Sequence, residues 1–113
     1  CSVASHSSAF DIAKRDWGER AAEFDLIFGK DATGGKDDLF AIAGKAERAK
    51  LPAIRFDCGT EDFLIDGNRR FHAHLEQLGI AHEYAEFPGM HNWDYWDVHV
   101  QEALAFHRRA LNL

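Results

Sequence analysis

At 113 residues, with 46% hydrophobic content and a formal net charge of -6, the chain holds one domain or less and has an ordinary globular composition. The acidic balance argues against a phosphate-backbone partner, which calls for a basic patch. No apolar run approaches the roughly 18 residues of a spanning helix, so neither nucleic acid nor a membrane is expected as a partner.

In chain order, Cys1 to Ala4 reads as a short strand followed by a polar loop, SHSSAF, that carries His6. If that strand belongs to a parallel sheet, the loop opens at its carboxyl edge and brings His6 towards any pocket there; a lone loop histidine is otherwise solvated. The stretch 11–36 changes character. Trp17, Phe24, Leu26, Ile27 and Phe28 mix irregularly with charge, and Gly29, Gly34 and Gly35 interrupt them. A short helix over Ala13 to Phe24 is the one regular element expected in it. Asp37 to Lys50 is a clearer helix, with Leu39, Ile42, Ala43, Ala46 and Ala49 at helical spacing, acidic residues first and basic residues last.

Leu51 to Trp96 is the most informative stretch. Ile54 to Cys58 is an apolar-leaning run closed by Gly59, as at a strand end. Asp66 can cap a helix from Gly67 to Leu78 with Phe71, Leu75 and Leu78 on one face, and Gly79 supplies a left-handed stop. His82 to Phe87 is a second extended run, ended by Pro88-Gly89. Strand, crossover helix and strand of these lengths predict a right-handed parallel βαβ unit. Both strands then end on one edge, where open α/β sheets bind ligands. Asp62 follows Cys58 by four residues and His91 follows Phe87 by four, so two loops of equal reach deliver a carboxylate and an imidazole to that edge. A carboxylate holding one imidazole nitrogen while the other accepts a proton is the orienting half of a nucleophilic triad. An ordinary turn aspartate and a solvated histidine fit the spacing equally well.

The segments CGTEDFL and FPGMHNWDYW, about thirty residues apart, resemble the acid and histidine turns of an esterase branch of the α/β-hydrolase superfamily. That branch includes tributyrin-type esterases, feruloyl esterases, S-formylglutathione hydrolases and the antigen 85 mycolyltransferases. HSSAF and KDDLFAIAGKA are similar to the same branch, and the two tryptophans after the histidine are closest to the tributyrin-esterase type. The resemblance implies an α/β fold with about three parallel strands and flanking helices. It implies Asp62 as the triad acid and His91 as the general base, and a lid-like insertion over 11–36, although a surface insertion whose aromatics cover the core fits those residues equally well. Phe63, Trp93 and His6 are then candidate pocket residues, Trp93 either walling the acyl pocket or packing the turn against the sheet. A small-molecule ester becomes the expected substrate, with short-chain or aromatic acyl groups.

One departure from the family is large. The superfamily nucleophile sits in a Gly-x-Ser-x-Gly elbow between strand and helix. Ser2, Ser5, Ser7 and Ser8 are the only serines, and none has that context. Because the family order is nucleophile, acid, histidine, the serine and the oxyanion-hole donors are expected upstream of Cys1. Residues 1–113 thus read as the C-terminal part of a single hydrolase domain, inert towards esters alone. A non-catalytic module of the same fold, or an acyltransferase using the same residues, are the competing readings. Truncation also predicts a sheet edge left open, or covered by another copy or another chain.

The far end predicts a helix from Trp93 towards Leu111, capped by Asn92, with Trp96, Val100, Ala103, Leu104, His107 and Leu111 on its buried stripe. Seven histidines raise the question of a metal. His72 and His74, two apart on a helix, point away from each other. His-x-x-x-His spacing is absent, and His91 with Asp94 lacks a third ligand, so no metal or other cofactor is expected. Cys58, at a strand end, reads as a packed, inert thiol. Two cysteines leave the compartment open, with a lean to the cytoplasm.

Overall fold

The computed structural model describes Cys1–Leu113. Three strands, β1 (Ser2–His6), β2 (Ala53–Gly59) and β3 (Glu83–Phe87), form a wholly parallel sheet in the order β1-β2-β3. The helices are α1 (Ala21–Phe28), α2 (Leu39–Lys45), α3 (Ile65–Gln77) and α4 (Trp93–Leu111). Successive side chains of β2 point to opposite faces of the sheet. Phe56 therefore meets Phe71, Leu75, Ile80 and Ala43 in the core under α3, while Asp57 meets Tyr95 of α4. No helix is long and apolar enough to cross a membrane.

Helix α3 shows how local chemistry sets the frame. Its first turn is fixed from outside, where the Asp62 carboxylate accepts the Leu64 N–H at 2.8 Å. Asp66 lies inside the first turn and caps nothing, so the helix starts two residues before the expected point. At the other end Gly79, at φ 67°, donates to Glu76 O and Ile80 N–H donates to Leu75 O. This pair of bonds closes the carboxyl end, and the Ile80 side chain packs on Leu75 as that closure favours. The chain is thereby aimed directly into β3.

Helix α2 is shorter than expected, ending at Lys45, with a separate turn of 3₁₀ helix at Arg48–Lys50. Arg48 explains the break. Its guanidinium donates to Ala43 O, Ala46 O and Leu78 O, satisfying the end of the helix and tying it to α3. At the start, Asp38 Oδ1 accepts from Phe40 N and Ala41 N and its Oδ2 accepts from Gly34 N. These backbone donors hold its carboxyl below the ordinary aspartate value. Asp38→Ala is expected to lower unfolding stability by about 1 kcal/mol in urea titration. The stabilisation linked to that lowered pKa is complete above the unfolded-state value near 4. It declines as pH falls through the folded value and is gone below it, and Asp38→Asn should flatten this dependence.

In the stretch 11–36 the helix falls at Ala21–Phe28 rather than Ala13–Phe24, after a 3₁₀ turn at Gly18–Arg20. Trp17 stacks on Phe24 with ring centroids 3.7 Å apart, and Phe24 lies 5.9 Å from Phe28. Aromatic stacking thus sets the register of this small helix, which buries no residue. Strand β1 runs to His6 rather than Ala4, because each of its residues pairs with one of β2, ending at His6 with Asp57.

Helix α4 begins and ends as expected, with Asn92 Oδ1 accepting Tyr95 N–H and Asn112 left-handed at φ 56°. Its buried face matches the expected stripe only in part. Tyr95, Ala103 and Phe106 are buried, and His99 stacks on Phe87 at 4.1 Å, whereas Val100, Leu104 and Leu111 are exposed. The hydrogen bonds from Tyr95 Oη to Asp57 and from Trp96 Nε1 to Ser7 lie on the inward face, with the aliphatic part of the stripe turned outward.

Candidate active site

The carboxyl ends of β2 and β3 carry two tight turns, Thr60–Leu64 and Pro88–Asn92, and backbone hydrogen bonds lock one onto the other. Thr60 N–H donates to Phe87 O at 2.9 Å and Glu61 N–H to Gly89 O at 3.0 Å. Glu61 closes the clamp by accepting the Gly89 N–H at 2.6 Å. With Thr60 Oγ1 donating to it as well, the Glu61 carboxyl is held below the usual glutamate range. Gly59 and Gly89 make this approach possible, since a Cβ on Gly59 would overlap the Gly89 carbonyl and one on Gly89 would lie 2.7 Å from the Tyr95 ring.

Those turns bring Asp62 and His91 together. His91 Nδ1–H donates to Asp62 Oδ2 at 3.0 Å, while Oδ1 of the same carboxylate accepts Leu64 N–H. The Asp62 side chain is fully buried and that of His91 is one-third exposed. A carboxylate held from both oxygens cannot swing, so it fixes the ring and its tautomer. Nε2 carries no hydrogen bond within the chain and is left as the basic nitrogen. Phe63 flanks the imidazole with ring centroids 4.9 Å apart, and Trp96 stands edge-on to it at 5.0 Å. Arg15 lies over the Phe63 ring at 5.3 Å and over Trp17 at 5.4 Å, linking the stretch 11–36 to the rim.

The other candidate residues have separate fates. Trp93 is 78% exposed and touches Trp96 edge-on at 5.3 Å, so it does not pack the turn against the sheet. Trp96 does, donating Nε1–H to Ser7 Oγ at 3.2 Å. His6 is no loop histidine. As the last residue of β1 it donates Nδ1–H to the wholly buried Asp57 at 2.8 Å. His72 and His74 go different ways, one to His82 Nε2 and the other to Phe40 O. Burial first, and the nearby Asp62 charge second, push the Cys58 thiol up to about 12, which suits an inert core residue.

Sequence reasoning missed Asp57. A charge inside an apolar run looks like noise, yet Arg55 and Asp57 share one face of β2 by strand alternation, and this periodicity was the available signal. Arg55 pairs with Asp57 directly, and Tyr95 Oη donates to Asp57 at 2.9 Å.

A parallel sheet of three strands with helices on both faces matches part of the α/β-hydrolase fold, and the Asp–His pair lies at its carboxyl edge. The chain is 35% identical over 72 residues to an acetyl esterase of Caldicellulosiruptor saccharolyticus, a match over 62% of this chain and 27% of that protein. Among solved structures it is similar to S-formylglutathione hydrolase of Staphylococcus aureus, with TM-score 0.77 and 22% identity over 93% of this chain and 43% of that one. It is equally similar to the fluorophosphonate-binding serine hydrolase F of Staphylococcus aureus, with TM-score 0.79, 22% identity and the same coverage. A ferulic acid esterase superposes with TM-score 0.75 and 23% identity over 97% of this chain and 42% of that one. The chain therefore spans under half the length of these structures and about a quarter of the acetyl esterase. No family profile matches it.

Proposed function

We propose that this chain is the acid- and base-bearing part of a serine carboxylesterase acting on short-chain or aromatic acyl esters. The observation that carries the reading is the buried Asp62 carboxylate holding His91 Nδ1–H, with Nε2 left basic. In this mechanism the serine hydroxyl, supplied from outside residues 1–113, attacks the ester carbonyl as Nε2 of His91 takes its proton. The same nitrogen returns the proton to the leaving alcohol. Asp62 keeps the ring in the productive tautomer and stabilises the imidazolium. Water, deprotonated by His91, then releases the acid. Two of the chain's own serines are engaged elsewhere, the Ser2 hydroxyl with His107 and the Ser7 hydroxyl with Trp96, and none of the four lies in a Gly-x-Ser-x-Gly elbow. Phe63, beside the imidazole, is positioned to line the approach of the acyl group, with Trp93 and the stretch 11–36 further out as rim and lid. The open edge of β1 is the place for the strand that leads to the serine.

The test is a longer protein that includes the coding sequence preceding Cys1. It is expected to contain Gly-x-Ser-x-Gly, to hydrolyse p-nitrophenyl butyrate and to react with a fluorophosphonate probe. Residues 1–113 alone should cleave the ester no faster than free imidazole does and should stay unlabelled. Another residue in place of the elbow serine, with no turnover, would sink the esterase reading in favour of a binding module.

A further inference from the structure

Beneath the His91 turn lies a second set of ionisable groups that the proposed reaction does not use. Asp57 has no exposed surface. Its Oδ1 accepts from His6 Nδ1–H at 2.8 Å and from Tyr95 Oη–H at 2.9 Å, and its Oδ2 takes the Arg55 guanidinium. A buried carboxylate with one neutralising cation and two further donors is a fixed point, because losing any partner leaves charge unpaired in a dry interior. Tyr95 extends from that point to the turn. Its ring lies against Gly89 so closely that no side chain fits between them, and its backbone N–H receives the Asn92 cap. Gly89 is two residues before His91 and Asn92 is one after it. The ring and the cap thus grip the turn on both sides of the imidazole.

We infer that Asp57, acting through the Tyr95 hydroxyl, is a positioning residue that holds the His91 turn against Asp62. The strut meets the turn from beneath, while the Glu61 clamp meets it from the β2 side. Burial and the Asp57 carboxylate raise the Tyr95 hydroxyl far above the ordinary tyrosine value, so it stays a donor at all working pH. The role rests on the reading of His91 as the base, but its signature is structural and is visible without turnover.

The experiment follows the His91 Nδ1–H proton by NMR in the longer protein that includes the coding sequence preceding Cys1, assigned by its disappearance in Asp62→Asn. Its exchange rate with water is measured in Tyr95→Phe, with Tyr84→Phe as the comparison. Tyr84 also gives a buried-side hydroxyl to a carboxylate, Glu86, but has no link to the turn. Tyr95→Phe keeps the ring against Gly89 and removes only the bond to Asp57. It is expected to speed exchange about tenfold, the equivalent of about 1.4 kcal/mol, as for a hydrogen bond to a charged group. Asp57→Asn should act in the same direction; where it fails to fold, Tyr95→Phe still decides. Exchange within twofold of the unmodified protein in Tyr95→Phe, an equal rise in Tyr84→Phe, or no such resonance in the unmodified protein would each overturn the inference. Failure of the esterase reading looks different: a serine-bearing protein without turnover whose His91 proton is still protected and still freed by Tyr95→Phe.

Discussion

His91→Ala, made in a protein that also carries the elbow serine, is expected to lower kcat for a short acyl ester by about 10⁶-fold, with little change in KM. The imidazole would be the only group that takes the serine proton and returns it to the leaving alcohol, so both half-reactions lose their base together. Asp62→Asn should cost about 10⁴-fold. An amide in place of the carboxylate leaves the shape of the site but offers the ring the wrong partner, so the basic nitrogen faces away from the serine. The Leu64 N–H that Asp62 also accepts can be kept by the amide oxygen, which predicts a folded variant with near-normal stability. Steady-state kinetics on p-nitrophenyl butyrate, with circular dichroism to confirm folding, checks both. Turnover in His91→Ala close to that of the unmodified protein would remove His91 from the mechanism.

Gly59→Ala carries the second large effect. The added Cβ would overlap the Gly89 carbonyl oxygen and lie 2.7 Å from its carbonyl carbon. Both atoms are backbone and belong to the turn that carries His91, so no side-chain rotation relieves the clash. The turns must separate, which strains or breaks the Glu61–Gly89 hydrogen bonds and moves the imidazole away from Asp62. A loss of about 3 kcal/mol in unfolding stability is expected by urea titration, at the upper end for overpacking. Displacement of the base by about 1 Å should further reduce turnover about 10²-fold in the serine-bearing protein. A Gly59→Ala protein with normal stability and an unchanged His91 Nδ1–H resonance would show that the turns have room to spare.

Much of this was legible in the sequence because the signals are local. Gly79 marks the end of α3 by backbone conformation alone, and Asn92 caps α4 with its own side chain, so neither needs distant partners to be recognised. The parallel pairing of β2 and β3 follows from the crossover helix, and with it the shared edge for Asp62 and His91. What was not legible depends on contacts between distant residues. Helix α2 stops at Lys45 because Arg48 reaches Leu78 O across the α2–α3 contact. The inward face of α4 is the one on which Tyr95 bonds Asp57, Trp96 bonds Ser7 and His99 stacks on Phe87, contacts that the aliphatic count of Val100, Leu104 and Leu111 does not reveal. Hydrophobic periodicity detects a stripe, of which Trp96, Ala103 and His107 meet the rest of the chain while Val100, Leu104 and Leu111 lie on the uncovered flank. His6 shows the same limit, since its partner is remote in sequence and adjacent only through the β1–β2 register.

The Asp–His pair, both glycines, the Glu61 clamp and the Tyr95 strut all lie between Leu51 and Trp96. The pair and its supports thus occupy one continuous stretch of the chain, apart from residues 11–36. Under the proposed function, substitution or lengthening within 11–36 would alter what reaches the imidazole while the two glycines, the Glu61 clamp and the Tyr95 strut keep their contacts.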